Sequence, residues 1–175
     1  CIRDRQVASL ERQLKSASAL VNPDSSKTAF QLPPYTMERL FLTSKVTITR
    51  LSTGDDLDLS RPGDEGFKFT FAPEDQFGHE FKTAGSLRVE LFDLAASNPR
   101  LGVWDLPTID LRNLWISSPV LDGYVVSLVW KAVPARTSLL IKITFTEELT
   151  GRMFEDQRSI VVTPPTTLPV ALPTR

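Results

Sequence analysis

At 175 residues with a hydrophobic share of 41%, the chain is long enough for one domain with a true core plus extensions. A formal net charge of -1 removes the broad electrostatic case for nucleic acid, which needs a basic face. No run of 18 or more apolar residues occurs, so no segment has the length of a membrane-spanning helix.

The single cysteine, Cys1, excludes an intrachain disulfide. A Cys in this position is the acceptor expected of a bacterial lipoprotein, in which a signal peptide is cut just before a cysteine that is then acylated. The alternative is that residue 1 is an arbitrary boundary. Residues Arg3 to Val21 contain neither Gly nor Pro, and Val7, Leu10, Leu14, Ala17 and Val21 follow the spacing of a heptad seam. Glu11 and Lys15 add a favourable pair on the polar flank. The spacing predicts a helix over 3–21, which with the anchor Cys1 makes up the segment 1–21. It either pairs with copies of itself, making a homo-oligomer, or packs on another surface; as a seam of only about two and a half heptads it also suits a plain spacer. Pro23 ends it, and residues 22–36, rich in Ser, Asp and Pro, form a linker.

The folded domain is expected over 37–162. Residues Arg39 to Leu51 give a first strand or a broken pair, with Leu40-Phe41-Leu42 either buried on both faces or leading in along an edge. Phe67, Phe69 and Phe71 alternate with Lys68 and Thr70, and Leu87, Val89 and Leu91 with Arg88 and Glu90. That period of two marks strands with one face buried. Arg100 to Leu106 offers a short further run. Thr108 to Trp115 reads as one or two helical turns, capped by Thr108, with Leu111, Leu114 and Trp115 on one face. Tyr124 to Trp130 is strongly β, and Leu139 to Thr146 with Phe154 to Val162 forms a hairpin through Thr150-Gly151. Four prolines in 163–175 predict a disordered or polyproline-like tail. The fold class expected is mainly β: an antiparallel sandwich, immunoglobulin- or fibronectin-III-like, with an N-terminal helix and a proline-rich tail.

Candidate chemistry is sparse. Asp55, Asp56, Asp58 and Asp64 crowd one turn and are the candidate calcium ligands, but their order lacks the one-three-five spacing of a calcium loop, so a solvated acidic turn is the expectation. His79, the one histidine, lies beside a turn glycine without the partners that a triad or zinc site needs. No phosphate-cradling loop, nucleophile elbow or metal-binding pair of motifs is present, and neither a cofactor nor a catalytic residue is assigned. Trp104 and Tyr124 are the candidate ligand surface, an aromatic platform of the kind carbohydrate-binding modules use, provided both are exposed; Trp130 is expected in the core.

The layout resembles a family of uncharacterised bacterial envelope lipoproteins. The pieces that carry the resemblance are Leu10-Glu11-Arg12-Gln13-Leu14, the turn Arg61-Pro62-Gly63-Asp64-Glu65-Gly66, the Pro73-Glu74-Asp75 turn, the segment Gly85 to Asp93, and Trp104-Asp105. The helix here is shorter than the family pattern. The resemblance implies an envelope address and a sandwich fold, and supplies no activity. The expectation is therefore a non-catalytic lipoprotein, attached to the membrane through a lipid on Cys1, whose sandwich binds an envelope protein or glycan. Ile2 after the cysteine gives no aspartate-type retention signal, which points to the periplasmic face of the outer membrane. The alternatives are a secreted carbohydrate-binding or adhesion module and a hydrolase.

Overall fold

The computed structural model describes residues 40–165. Cys1, the heptad positions Val7, Leu10, Leu14, Ala17 and Val21, the linker 22–36 and the chain past Pro165 lie outside the described residues.

Along the described chain run β1 (Lys45–Ile48), β2 (Thr53–Asp55), β3 (Gly66–Glu74), β4 (Gly85–Phe92), β5 (Arg100–Leu106), the one-turn helix α1 (Thr108–Leu111), β6 (Trp115–Ser117), β7 (Asp122–Val129), β8 (Ser138–Glu147) and β9 (Met153–Val161). They build two antiparallel sheets. One has the order β1-β3-β7-β6, with β2 continuing the β1 edge of β3; the other has the order β5-β4-β8-β9. The expected antiparallel β architecture is present.

Alternation places the core. Phe67, Phe69 and Phe71 of one sheet, and Leu87, Val89, Leu91, Ile141, Ile143 and Phe145 of the other, are at most 1% exposed. Each such side chain contributes about 1.5–3 kcal/mol when fully removed from water. The Phe run and the Leu-Val-Leu run are consecutive in sequence yet lie in opposite sheets, because the connection over residues 75–84 is too long for a tight hairpin and crosses between layers.

The first run is a broken pair. β1 pairs the end of β3 (Ile48↔Phe71) and β2 its beginning (Asp55↔Gly66). Leu40-Phe41-Leu42 is not a doubly buried segment: Phe41 is exposed. It lies in a strap across the end of the sandwich, held by Leu42 N–H to Gln76 Oε1 at 3.2 Å and Thr43 N–H to Glu147 Oε1 at 3.1 Å. The helical expectation for Thr108 to Trp115 is met only over Thr108–Leu111, since Trp115 already pairs with Tyr124 as β6. Thr108 does not cap the turn. Pro107 holds the N-cap position, and the Thr108 hydroxyl donates to Glu148 instead. Leu111, Leu114 and Trp115 do share the core-facing side. The β8–β9 hairpin turns at Gly151, whose φ of 67° is the left-handed conformation that favours glycine.

The strand directions give the sandwich two ends. The proximal end carries the 40–44 strap, the β3–β4 connection, α1 and the β8–β9 turn. The distal end carries the β2–β3, β4–β5 and β7–β8 connections, and there β9 runs out to Pro165.

Candidate functional site

The distal end is organised by Arg61-Pro62-Gly63-Asp64-Glu65-Gly66. Gly63 adopts a φ of 108°, and a Cβ there would come within 2.5 Å of Pro165 Cα, so only glycine lets the outgoing chain lie against the turn. Asp64 donates its N–H to the Thr163 carbonyl at 2.7 Å and accepts the Thr163 N–H on its carboxylate at 2.5 Å. Its carbonyl accepts Trp130 Nε1–H at 2.6 Å. The Glu65 carbonyl accepts Trp130 N–H at 3.1 Å, while Glu65 Oε2 accepts the N–H groups of Leu57 and Asp58. One turn thus fixes three pieces of backbone. Thr163–Pro165, expected to start a disordered tail, instead sit on the fold, because Asp64 satisfies both backbone groups of Thr163.

Trp130 lies just past β7, half-buried. Its ring stacks on Phe67 at 5.4 Å, at the border of the core and not within a core strand. Beside it opens a groove of about 470 Å³ lined by Arg61, Pro62, Glu65, Trp130, Val133 and Pro165, with Val129 and Val133 exposed at its rim. Glu65 Oε1 is buried without a hydrogen-bond partner among the described residues. The β7–β8 connection also walls a second cavity, of about 580 Å³, whose lining includes Asp93, Leu94, Arg136, Ser138, Leu140 and Ser159. Asp93 is 2% exposed; its Oδ1 accepts the Ala95 N–H at 3.1 Å and faces Arg136 Nε at 4.0 Å.

Trp104 and Tyr124 do not form a platform. They sit in opposite sheets, and both point inward. Tyr124 is 1% exposed, stacked on Phe71 at 5.1 Å and edged by Trp115 at 5.0 Å. Its hydroxyl donates to the Thr83 carbonyl, and burial pushes the phenol up to about 12. The alternating pattern of β7 turns Tyr124 to the same side as Val126, and Tyr tolerates that burial because the Thr83 carbonyl satisfies its hydroxyl. Trp104 is half-buried edge-to-face against Phe67 at 5.2 Å, and Lys131 Nζ lies 5.3 Å over its ring while donating to the Val103 carbonyl.

The calcium candidates do not converge. Asp55 faces Ser127 and Lys68, the latter at 2.9 Å; burial raises its carboxyl, but those two partners together hold it below its ordinary value. Asp58 closes its own turn onto Ser60 and Arg61, and the Ser60 hydroxyl lowers it. Asp64 is occupied by Thr163, and Asp56 is exposed. No three metal-ligating side chains gather on one point among the described residues. His79 is exposed, with Nδ1 3.8 Å from Asp75. Its backbone N–H, together with that of Phe77, shapes the β3–β4 turn around Asp75 Oδ1.

Asp93, Arg136 and the groove residues Glu65 and Val133 were not legible as site residues. The Arg61–Gly66 turn could be recognised as a turn, but which backbones it would clasp depends on the sheet order. Compared with protein families, with characterised proteins and with solved structures, the chain matches none of them.

Proposed function

We propose that this chain is a non-catalytic binding module of the bacterial cell envelope, carried by an acylated Cys1, whose sandwich takes a protein or glycan partner at its distal end. The observation that carries the binding reading is the contrast between the sheet faces and that end. Ion pairs cover the outer faces: Arg88–Asp105, Arg100–Glu90, Lys142–Glu155, Lys45–Glu74 and Lys68–Asp55. The distal end instead exposes Leu57 and Leu59 on the β2–β3 connection, and Val129 and Val133 at a groove that Trp130 lines. Apolar side chains collected beside a preformed groove are what a recognition surface requires. The hydrogen bonds of Asp64 and Glu65 hold its walls in place before any partner arrives, which lowers the ordering cost of binding.

The immunoglobulin-like reading is supported by strand order. Lettered along the chain, with β1 and β2 as A and β5 as C′, the sheets become A-B-E-D and C′-C-F-G. That likeness concerns architecture and carries no activity. The envelope address rests on the local motifs that carry the resemblance.

Crosslinking of the full chain in envelope fractions, followed by capture, tests the binding reading. Val133→Asp alters an exposed position, so the sandwich stays folded while partner capture falls. Capture unchanged in both Val133→Asp and Val129→Lys would remove the distal end as the recognition surface. Intact mass of the protein from the membrane fraction tests the anchor, since acyl chains on Cys1 add to the polypeptide mass.

A further inference from the structure

We propose that the distal half of β7 is an open sheet edge that takes an extended strand of a partner protein, added antiparallel to it. This deepens the binding-module reading above, choosing polypeptide over glycan, and rests on it. β6 covers β7 only from Asp122 to Tyr124, and the Val125 N–H adds a last bond to the Leu114 carbonyl at 2.9 Å. Trp130 N–H turns the other way, to the Glu65 carbonyl at the start of β3. Backbone groups alternate in direction along a strand, so those of Ser127 and Val129 point as Val125 does, away from β3. No strand lies on that side of them among the described residues.

Elsewhere the sandwich closes its long edges. Asp156 and Arg158 on β9 bond the N–H and the carbonyl of Ile48 on β1, which ties those two edges together. On β5, the Lys131 ammonium donates to the Val103 carbonyl in the middle of the strand. The β7 edge has no such cover. Ser127 is exposed and Val129 is 59% exposed, so a second chain can reach their backbone. Donors and acceptors repeating at every second residue are what another extended polypeptide pairs with.

The surroundings define the side chains that strand carries. Residues opposite one another in a pair project to the same face. The residue opposite Leu128 therefore faces inward, where Leu128 and Trp104 are only partly buried against the core. Leu128 pairs with Phe67, whose ring meets that of Trp104 at 5.2 Å, so an apolar side chain suits that position. Residues opposite Ser127 and Val129 face water and are polar. Charge fixes the end. Lys131 meets the Val103 carbonyl and the Trp104 ring but no carboxylate among the described residues. An antiparallel strand brings its N-terminal end toward Lys131, and acidic residues there complement it.

The test is amide hydrogen exchange of the ¹⁵N-labelled full chain, alone at two concentrations and with a synthetic peptide. The peptide begins with two glutamates and then alternates threonine and valine. Alone, the Ser127 and Val129 amides should exchange about tenfold or more faster than those of Val126 and Leu128. With ~1 mM peptide both should slow by about fivefold. N-methylation of the threonines, whose N–H groups face β7, should abolish that protection, whereas N-methylation of the valines should keep it. Slow exchange at Ser127 and Val129 in the dilute chain would mean that the chain covers its own edge. Slowing only at the higher concentration would give the edge to a second copy. Either result overturns the proposal, as does a peptide that leaves both amides fast or protects equally after threonine methylation. Those failures leave the Trp130 groove untouched; Val133→Asp judges the binding module separately.

Discussion

Asp156 on β9 accepts the backbone N–H of Ile48 on β1 at 2.6 Å, although the two strands belong to different sheets. Two residues along, Arg158 donates to the carbonyl of that same Ile48 at 3.1 Å. Two side chains of opposite charge therefore do for one residue what a neighbouring strand would do, closing the β1 edge against the β9 edge. Charged side chains turned inward at an edge also discourage pairing with another chain.

Replacing Asp156 with Ala leaves the Ile48 N–H unpaired in a part-buried seam. The expected loss is about 1–3 kcal/mol, read from urea unfolding followed by Trp fluorescence, with Asp156→Asn losing less. An unchanged midpoint for Asp156→Ala would mean that water replaces the carboxylate without cost.

Glu147 performs a similar service at the proximal end. It is 1% exposed and accepts the Thr43 N–H at 3.1 Å, the Thr43 hydroxyl at 2.7 Å and the Thr150 hydroxyl. Glu147→Ala should cost about 2–3 kcal/mol and speed hydrogen exchange at the Thr43 amide, as the strap loses its tie. If exchange at Thr43 is unaltered, the strap is held by Gln76 and by the bonds of Ser44 to the Glu74 and Asp75 carbonyls without help from Glu147.

Acid should unfold this domain through its paired carboxylates. Glu74 is held below its ordinary 4.5 by the Thr47 hydroxyl and then by Lys45, and Asp75 below 3.8 by the His79 and Phe77 N–H groups. Glu155 is lowered by Lys142 and Thr144. A lowered folded value means the unfolded chain binds protons first. The stabilisation is therefore complete above the ordinary value and drains away as pH falls from there through the folded values. Urea midpoints should be level from neutrality down to about 4.5 and fall below it. A midpoint that holds level at pH 3 would show that these bonds do not distinguish the folded from the unfolded carboxyls.

Tyr124 sets the alkaline limit. Its folded value of about 12, against an ordinary 10.0, means that the unfolded phenol ionises while the folded one stays neutral. Stability is present below 10 and is lost as pH rises toward 12. In a Tyr35→Phe background, tyrosinate absorbance should rise only together with unfolding; ionisation near 10 with the fold intact would show that the hydroxyl reaches water.

The strands were legible because their side chains alternate: Phe67, Phe69 and Phe71 announce a buried face whatever stands opposite. Sheet order was not, since nothing in either run says that the long connection after Asp75 crosses to the other layer. The same limit explains Tyr124. Its residue type suits a binding platform, and only the register opposite Phe71 turns it inward. The distal cavities were hidden for a related reason. Asp93 and Arg136 are brought together by loops from different strands, and local pattern carries no trace of such a meeting. Trp130 reads as the close of a strand when it is part of the wall of a groove.

The 40–44 strap and Thr163–Pro165 leave the sandwich at opposite ends, each tied down where it departs. Tension along the polypeptide would therefore pass lengthwise through the domain, parallel to its strands. Hydrogen bonds between β1 and β3, and between β8 and β9, would then be sheared together instead of being opened one at a time. A spacer held at one side and gripped at the other would resist pulling in that geometry far better than it resists peeling.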